Sequence, residues 1–484
     1  RGKEMKLRPE TGLTFDDVLL VPKHSAIRSR SAVDTSTWLV PGICMHIPII
    51  SANMDTVTEA PMAIAMAQAG GIGIIHRFMS IERQVSEVHK VKRSESFIVE
   101  QPITVLPSVN LVEAGQKMER AGIGGLMVVD SDEHLLGIVT TRDVLLAPDP
   151  LASIETVMTP YERLVVASAD EPFEKARLKL HANRIEKLPL VDAENRVVGL
   201  ITAQDVIKLQ KHPGATKDEK GRLRVGVAIG VRKDDLKRAA ACVEVGADVV
   251  VIDIAHGHSV HTMDMIRDLK ENFPGVPIIA GNVATAQGVR DLVQAGADAV
   301  KVGVGAGSIC ITRVVTGYGV PQLTAIAECF EAGQALGVPI IADGGLRTSG
   351  DIAKAIAAGA STVMLGSLLA GTEESPGAPV VRGGRRFKVV RGMASLSANV
   401  DRKSVDQGVV ADEEWGEIVP EGVEAVVPYR GKVAESLHQL VGGLRSSMSY
   451  AGAETIESFW ERAEFIRITP AGRMESGVHD VDVL

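Results

Sequence analysis

The sequence predicts a (β/α)8 barrel, an α/β fold, with a second module inserted into it. Three observations lead to this prediction: eight short strand-like runs, helix-length amphipathic segments between them, and one long gap that contains an internal repeat. Alternation of strands and helices is typical of parallel sheets, and eight repetitions favour a closed TIM barrel over a doubly wound sheet.

The eight runs are rich in β-branched residues and most of them end in Gly, Asn, Asp or His. Gly246, Gly296 and Gly359 each follow a helical pattern and precede a strand pattern, as expected of a helix stop. The runs cover residues 47–53, 70–76, 225–230, 247–257, 276–285, 297–305, 338–345 and 361–367.

The second and third runs are about 150 residues apart, far more than one connecting helix needs. Within this gap, residues 123–144 align without gaps on residues 185–206, an offset of 62 positions. Each copy reads as strand, turn and strand, followed by a Thr-x-x-Asp sequence that opens a helix. We therefore expect residues 1–97 and 210–484 to form the barrel and residues 98–209 to form the inserted module.

The inserted repeat resembles a tandem CBS (Bateman) module, with copies at residues 98–150 and 158–209. In that family the Thr and Asp of the turn bind the ribose of an adenine nucleotide, which implies regulation by ATP, GTP or GMP. Residue chemistry offers an alternative in which each Thr caps a helix and each Asp favours its first turn. The residues concerned are Thr140, Asp143, Thr202 and Asp205.

The composition argues against two classes of partner. A formal net charge of −9 disfavours nucleic acid as the main ligand, and no apolar run is long enough to predict a membrane span. The four cysteines form neither a disulfide framework nor a zinc-type Cys-x-x-Cys pair. We therefore expect an intracellular, cytoplasmic protein in a reducing environment.

The loop that follows the sixth run carries the strongest chemical signal. Residues 303–313 read Gly-Val-Gly-Ala-Gly-Ser-Ile-Cys-Ile-Thr-Arg, at the strand end where barrel active sites lie. The glycines permit positive φ and direct backbone N–H groups towards an anion. Cys310, near Ser308 and Thr312, is therefore a candidate nucleophile. For Cys44, Cys242 and Cys329 we favour the alternative of buried, inert thiols.

Two further strand ends are expected beside this loop. The seventh run ends in Ala-Asp-Gly-Gly at residues 342–345, and the eighth ends in Met-Leu-Gly-Ser at residues 364–367. Barrels commonly bind phosphate at these two positions. Asp343 could accept hydrogen bonds from a ribose diol, or it could simply cap a turn.

Taken together, these residues resemble the IMP dehydrogenase/GMP reductase family over nearly the whole chain. The motifs include the Cys310 loop, the Ala-Asp-Gly-Gly sequence and the Gly-Met pair at residues 392–393. Further matches are Leu-Thr-Phe-Asp-Asp-Val-Leu-Leu at 13–20, Ser-Ala-Asn-Met-Asp-Thr-Val at 51–57, Asp-Ile-Ala-His-Gly-His-Ser at 253–259, Ala-Gly-Asn-Val at 280–283 and Gly-Gly-Leu-Arg-Ser at 442–446.

The resemblance implies a role for each matching residue. Cys310 would attack C2 of the purine, with Thr312 beside it. The 5′-phosphate of the substrate nucleotide would be held by Ser308, Gly345, Gly366 and Ser367, and its ribose by Asp343. The purine base would lie near Asn282, Met393 and Glu421, and the substrate would also contact Ser51 and Gly392. A nicotinamide cofactor would contact Asp253, Ala255 and His256. A potassium ion would be held by carbonyls of Gly305, Gly307 and Cys310, and by Glu475 and Ser476 of a neighbouring subunit in a homotetramer or octamer.

The two activities of the family differ at one segment. Dehydrogenases, which oxidise IMP to XMP with NAD, activate water with an Arg-Tyr pair on a flap that follows Tyr-Arg-Gly-Met-Gly-Ser-Leu. Here residues 390–396 read Val-Arg-Gly-Met-Ala-Ser-Leu, and residues 397–420 contain no Arg-Tyr pair. The resemblance therefore favours a GMP reductase that uses NADPH, with an NAD-dependent IMP dehydrogenase as the alternative.

One observation counts against the reductase, and one further hypothesis stays open. Many reductases carry a glutamate soon after the Gly-Met pair, where this chain has Leu396, so Glu421 or Glu424 would have to replace it. A third hypothesis, from another class, is a nucleotide sensor in which the barrel is inactive. The intact Cys310–Thr312 pair argues against that hypothesis.

Overall fold

The structure is a computed structural model that describes residues 7–95, 98–100, 102–168, 171–398 and 419–478. It divides into two compact units. The first comprises Arg1–Ser94, Gly214–Lys217 and Leu223–Leu484, and the second comprises Glu95–Pro213 and Asp218–Arg222.

The first unit is built on a closed barrel of eight parallel strands, which confirms the predicted (β/α)8 fold. Each strand lies within one of the eight runs seen in the sequence. Pairing of the eighth strand with the first and of the second with the third closes the ring. The strands are β1 Ile49–Ser51, β2 Ile72–Ile75, β3 Gly226–Ile229, β4 Val249–Asp253, β5 Ile278–Val283, β6 Ala299–Val302, β7 Ile340–Asp343 and β8 Thr362–Leu365.

Eight helices surround the strands. The last of them contacts both the seventh and the first, and so completes the outer ring. The helices are α1 Ala60–Gln68, α2 Ile81–Ser94, α3 Lys233–Glu244, α4 Val260–Asn272, α5 Ala286–Ala295, α6 Gln322–Leu336, α7 Ser349–Ala357 and α8 Val433–Ala451. The predicted glycine stop at Gly296 caps α5 in the left-handed conformation, with φ +117°.

The barrel interior is a packed apolar core rather than a pore. Inward-facing side chains of the strands cluster with those of a hairpin formed by Thr37–Val40 and Ile43–Met45. A second cluster fills the space between the strands and the helices. Because the interior is filled, ligands can bind only at an end of the barrel.

Several shorter elements extend the first unit. Val18–Leu20 pairs with Phe465–Arg467, and a three-stranded antiparallel sheet contains Pro379–Arg382, Arg385–Arg391 and Glu424–Pro428. The short helices are Phe15–Asp17, Arg30–Ala32, Thr312–Thr316, Ser367–Ala370, Ile456–Arg462 and Pro470–Glu475. The three-stranded sheet places the segments around Met393 and Glu421 side by side, because Gly392 N–H donates to the Val423 carbonyl (3.0 Å).

The second unit contains two similar halves. In each half a short strand runs parallel to the next strand, which pairs antiparallel with a third. The first half contains strands Thr104–Val105, Gly125–Val129, Leu135–Thr140 and Thr159–Pro160, and helices Leu111–Ala121, Thr141–Leu146, Ile154–Thr156 and Tyr161–Arg163. The second half contains strands Ala167–Ser168, Lys187–Val191 and Val197–Thr202, and helices Phe173–Asn183 and Ala203–Lys211. The sequence repeat therefore folds as a structural repeat, and its identity as a CBS module stays a prediction.

Among the residues that the structure describes, no helix has the length and apolar character needed to cross a membrane.

Candidate active site

A thiol, a hydroxyl and a carboxylate lie in a row beyond the end of β6. Cys310 Sγ lies 3.2 Å from Thr312 Oγ1, and Thr312 Oγ1 donates a hydrogen bond to Glu421 Oε2 (2.7 Å). All three side chains are partly buried. The order thiol, hydroxyl, carboxylate is suited to proton movement between the sulfur and the carboxylate.

Main-chain pairing holds this row together across a long stretch of sequence. Ile311 N–H donates to the Glu421 carbonyl (2.8 Å), and Val423 N–H donates to the Ile309 carbonyl (3.0 Å). Cys310 and Gly422 thus face each other as an isolated antiparallel bridge. The position of the Glu421 carboxylate is therefore fixed by the backbone and not by side-chain contacts alone.

A cavity of about 300 Å³ lies next to the Cys310 loop. It is lined by the loops that follow β6, β7 and β8 together with residues of the N-terminal segment. All five of the predicted phosphate and ribose residues line it, namely Ser308, Asp343, Gly345, Gly366 and Ser367. The structure thus brings these residues together in one place, while their contact with a phosphate stays a prediction.

Two glycines allow the loops around this cavity to approach each other. Gly344 and Gly345 have φ values of +93° and +81°, in the left-handed region that favours glycine. A Cβ atom on Gly344 would lie 3.0 Å from the backbone nitrogen of Gly307 in the neighbouring loop. The Asp-Gly-Gly sequence therefore permits both the turn and the contact between the two loops.

Lys301, in the middle of β6, lies at the centre of the polar side chains in the barrel mouth. Its Nζ donates to Asp343 Oδ2 (2.7 Å) and also to Asp253 Oδ1 and Asn282 Oδ1. Asn282 Nδ2 in turn donates to Asp343 Oδ2 (3.0 Å), and Asn53 Nδ2 donates to Asp253 Oδ2 (2.9 Å). Residues near the ends of β4, β5 and β7 are thus joined through one ammonium group from β6.

The charges of this group stabilise one another. Burial alone lowers the pKa of Lys301, but the carboxylates of Asp253 and Asp343 outweigh burial and raise it. Burial alone likewise raises the pKa of Asp253, yet Lys301, with smaller effects of Asn53 and Arg77, lowers it. The ammonium and the Asp253 carboxylate therefore both remain charged at neutral pH.

Lys301 and its carboxylate partners differ in their access to ligands. The Lys301 side chain is 1% exposed, whereas those of Asp253 and Asp343 are each 22% exposed. The carboxylates can therefore contact ligands in the barrel mouth, while the buried Lys301 ammonium fixes their positions through hydrogen bonds. Sequence reasoning missed Lys301, although a lysine within the apolar run Ala-Val-Lys-Val signals a buried charge that needs partners.

The predicted cofactor residues lie at the end of β4. Asp253 is the last residue of this strand, and Ala255 and His256 are exposed in the loop that follows it. Arg77, which the sequence did not indicate, lies near Asp253, and its buried Nε has no partner among the described residues. The three predicted residues thus share one side of the barrel mouth.

Ser51 is a predicted substrate residue that the structure does not bring into the cavity. Its side chain is fully buried, and its Oγ accepts a hydrogen bond from Thr58 Oγ1 (2.9 Å). Ala52 and Met54 line the cavity instead. A strand directs alternate side chains to opposite faces, so Ser51 faces away from the cavity while Ala52 borders it. The expected contact of Ser51 with the substrate stays a prediction.

The other residues expected near the purine base lie in or next to the three-stranded antiparallel sheet. Gly392 is buried and Met393 is half-buried, directly after the strand Arg385–Arg391. Glu424, the other acid considered as a partner for Thr312, is exposed and begins the strand Glu424–Pro428. Of the two candidate acids, Glu421 is the one that contacts Thr312. The flap at residues 397–420 lies for the most part outside the described residues.

The predicted potassium ligands fall into two groups. The carbonyl of Gly307 accepts a hydrogen bond from Cys310 N–H (3.2 Å), and Gly305 has a φ of +72°. Glu475 ends the helix Pro470–Glu475, and Ser476 caps it, with both residues exposed. The shared cation site and the assembly that it requires stay predictions.

The first Thr-x-x-Asp turn of the inserted unit is a capping box. Thr140 N–H and Oγ1–H both donate to Asp143 Oδ2, at 2.8 and 2.7 Å. This geometry supports the capping alternative, and nucleotide binding there stays a prediction. Thr202 ends its strand, and Asp205 lies in the helix Ala203–Lys211, with its side chain outside the described part of the chain.

The other cysteines differ from Cys310 in environment. Cys242 and Cys329 are buried, and burial raises the pKa of each thiol to about 12, which makes the thiolate scarce. Cys44 is exposed, so the expectation of a buried thiol was wrong there, although partial desolvation raises its pKa. Cys310 is half-buried, and its neighbours Ser308 and Ile309 line the cavity.

This site can be compared with known proteins. A family model described as the IMP dehydrogenase / GMP reductase domain matches residues 12–479, nearly the whole chain. The chain belongs to the IMP dehydrogenase/GMP reductase family. It is therefore a purine-nucleotide oxidoreductase, and the enzymes of this family use nicotinamide cofactors.

Relatives of both activities are similar to the chain. The inosine-5'-monophosphate dehydrogenase of Nitrosopumilus maritimus is 53% identical over 471 residues, which cover 97% of this chain and 98% of the relative. The GMP reductase of Leishmania donovani is 49% identical over 482 residues, which cover 98% of both chains. A crystal structure of a GMP reductase variant from Trypanosoma brucei in complex with guanosine 5'-monophosphate superimposes with a TM-score of 0.87, at 47% identity and 98% coverage of each chain.

The arrangement around Lys301 leads to a prediction. Lys301→Met leaves two partly buried carboxylates without their cation, so we expect a loss of about 3–5 kcal/mol in stability. We also expect a fall of about hundredfold in kcat/KM, because Asp253 and Asp343 lose their common support. Denaturant unfolding and steady-state kinetics on the folded protein would measure the two effects.

Lys92→Met is the matched control for this variant. Lys92 is also buried (3% exposed) and pairs with Asp248 (2.6 Å), which directly precedes β4 at the opposite end of the barrel. We expect a similar loss of stability with little change in kcat/KM. An equal loss of activity in both variants would contradict a specific role of Lys301 in the site.

Proposed function

We propose that the protein is a GMP reductase, which converts GMP to IMP and ammonia with NADPH through a covalent adduct between the purine and Cys310. The observation that carries the proposal is the row Cys310–Thr312–Glu421, combined with a flap sequence that lacks the Arg-Tyr pair of the dehydrogenases. The row supplies an acid, and the missing pair removes the group that would activate water.

The geometry supports formation of the nucleophile without an external base. The Cys310 thiol can donate its proton to Thr312 Oγ1 while Thr312 passes its own proton to the Glu421 carboxylate. This shift leaves a thiolate on Cys310, which attacks C2 of the purine and forms the C–S bond.

The same row can then act in the opposite direction. The amino group on C2 must receive a proton to leave as ammonia, and the proton stored on Glu421 returns through the Thr312 hydroxyl. A glutamate after the Gly-Met pair is then not needed, because Glu421 approaches Thr312 from another segment. Leu396 is thus no obstacle to the reductase chemistry.

The barrel mouth is suited to a nicotinamide cofactor. The exposed side of the Asp253 carboxylate can accept hydrogen bonds from a ribose. Arg77, whose Nε has no partner within the described part of the chain, lies near it. When bound, NADPH supplies the hydride that adds to C2 as the C–S bond breaks. Lys301 holds Asp253 and Asp343 at fixed positions. The carboxylate expected to contact the cofactor and the one expected to contact the substrate would therefore keep a constant distance from each other.

Three further expectations belong to the same proposal. Purine nucleotides such as ATP, GTP or GMP would regulate the enzyme through the inserted unit, and potassium would bind the Cys310 loop in a cytoplasmic homotetramer or octamer. A GMP reductase of Trypanosoma brucei has been solved in complex with guanosine 5'-triphosphate, with a TM-score of 0.76 and 43% identity, covering 95% of this chain and 98% of that chain. That complex supports nucleotide regulation.

IMP dehydrogenase is the second candidate. The 53% identity to a protein of that name favours it, and the Thr312–Glu421 pair could also accept a proton from water. It would use NAD and release XMP. The two candidates share Cys310 and the phosphate cavity, so only the reaction itself distinguishes them.

Two parallel assays with pure protein and potassium test the proposal. One contains GMP and NADPH, and the other contains IMP and NAD. We expect the absorbance of NADPH to fall in the first assay, with no NADH formed in the second. Formation of NADH in the second assay alone would establish a dehydrogenase.

The proton row leads to a further prediction. Glu421→Gln keeps the size of the side chain but cannot take up a proton, so we expect kcat to fall by about 10²–10⁴-fold. Glu424→Gln is the matched control, because Glu424 is exposed, and we expect it to retain activity within about twofold of wild type. A Glu421→Gln variant with wild-type kcat would show that the proton comes from elsewhere.

A further inference from the structure

We infer that Arg347 is a further substrate-binding residue, which contacts the 5′-phosphate of the purine nucleotide, and that Asp16 is its counter-ion when no phosphate is present. This inference rests on the proposed substrate class, a purine nucleoside monophosphate. It holds equally for GMP and IMP, because both carry the same phosphate.

Arg347 lines the cavity in which the phosphate is expected. The residues around this cavity include Ser308, Gly345 and Ser367, which were assigned to the phosphate, as well as both Asp16 and Arg347. Arg347 follows β7 by four positions, so the same turn carries it and Gly345. A phosphate held by the glycine loops would therefore share the cavity with this guanidinium.

The cavity has one other cationic side chain among its lining residues, Arg313, and its guanidinium is already engaged. Arg313 Nη2 donates to the carbonyls of Val320 (2.6 Å) and Val304 (3.3 Å), and its Nε also faces Val304. These bonds hold Arg313 against the backbone of its own loop. Arg347 is therefore the lining cation that remains for a ligand.

Arg347 keeps donors that the protein does not use. Its Nη2 donates to Asp16 Oδ1, and its Nε lies 3.7 Å from Asp351 Oδ2, beyond hydrogen-bond distance. A guanidinium has five N–H donors in a planar fork, and no other partner of Arg347 occurs among the described residues. With its side chain 53% exposed, Arg347 can turn a free N–H towards a phosphate oxygen.

The charges around the cavity explain why a counter-ion is needed. A phosphate monoester carries between one and two negative charges at neutral pH, whereas backbone N–H groups and serine hydroxyls carry none. Asp16 also lines the cavity and would repel the phosphate if it were unpaired. Hydrogen bonding to Arg347 lowers the pKa of Asp16, so this carboxylate stays charged.

Two further cations offset the charge of Asp16. Arg473 lies 2.8 Å from Asp16 Oδ2, and the Lys354 ammonium donates to the carbonyl of Phe15, next to Asp16. Asp16 therefore remains balanced when Arg347 turns to a phosphate. In the absence of a nucleotide, Asp16 of the N-terminal segment thus holds the Arg347 guanidinium beside the cavity.

Variants of the two partners distinguish this role from a structural ion pair. Arg347→Gln removes the charge that binds the phosphate, and we expect the Kd of GMP, measured by isothermal titration calorimetry, to rise about tenfold. Asp16→Asn removes the competing carboxylate, and we expect the Kd to fall by about two- to fivefold. If the pair only braced the loop, both variants would weaken binding, which would overturn the inference.

Two controls complete the experiment. Arg473→Gln removes the other ion-pair partner of Asp16, and Arg473 is not among the lining residues. Because Asp16 then depends more on Arg347, we expect the Kd of GMP to rise, but by less than about threefold. Guanosine, which lacks the phosphate, should bind wild type and Arg347→Gln equally well in competition assays. Equal weakening of GMP and guanosine binding in Arg347→Gln would overturn the inference.

Failure of the proposed function would look different. If the enzyme oxidised IMP instead of reducing GMP, the same titrations with IMP would still show opposite effects of Arg347→Gln and Asp16→Asn. If wild-type protein bound neither nucleotide, the substrate class and the inference would both be wrong.

Discussion

An ammonium group buried at the mouth of a parallel barrel can persist only where carboxylates surround it, and this constraint organises the site. Lys301 draws together Asp253, Asn282 and Asp343, which come from the strands on either side of β6. Removing a charge from water is costly unless close partners compensate. The partners that satisfy Lys301 are also the side chains exposed to ligands, so the stability of the barrel mouth and the geometry of the site depend on the same contacts.

The chemistry depends on a second constraint, which is the backbone pairing between the Cys310 loop and the segment at Glu421. A loop rich in glycine is flexible by itself, yet two main-chain hydrogen bonds tie residues 309–311 to residues 421–423. This pairing places a carboxylate behind Thr312 and makes a proton path from sulfur to carboxylate. A family that contains both dehydrogenases and reductases can thus vary the groups that handle protons while the barrel itself remains the same.

The sequence predicted the barrel because strand periodicity and helix stops are local signals, and each of the eight strands fell within its expected run. Cys310 could be found from its glycine-rich surroundings. The contact between Thr312 and Glu421 could not, because 109 positions separate the two residues and no spacing rule joins them. The position of the Ser51 side chain could not be predicted either: the motif indicates the segment that borders the cavity, but one residue of register decides whether a side chain faces the cavity or the core.

The fate of the substituent on C2 distinguishes reduction of GMP from oxidation of IMP. The protein would be incubated in oxygen-18-labelled water with GMP and NADPH, and separately with IMP and NAD, and the nucleotide products would be analysed by mass spectrometry. For a reductase we expect unlabelled IMP from GMP, with one ammonia released for each NADPH oxidised, and no product from IMP. XMP that carries oxygen-18 at C2 would show that the site hydrolyses its adduct, and would contradict the assignment of the Thr312–Glu421 pair to the departure of ammonia.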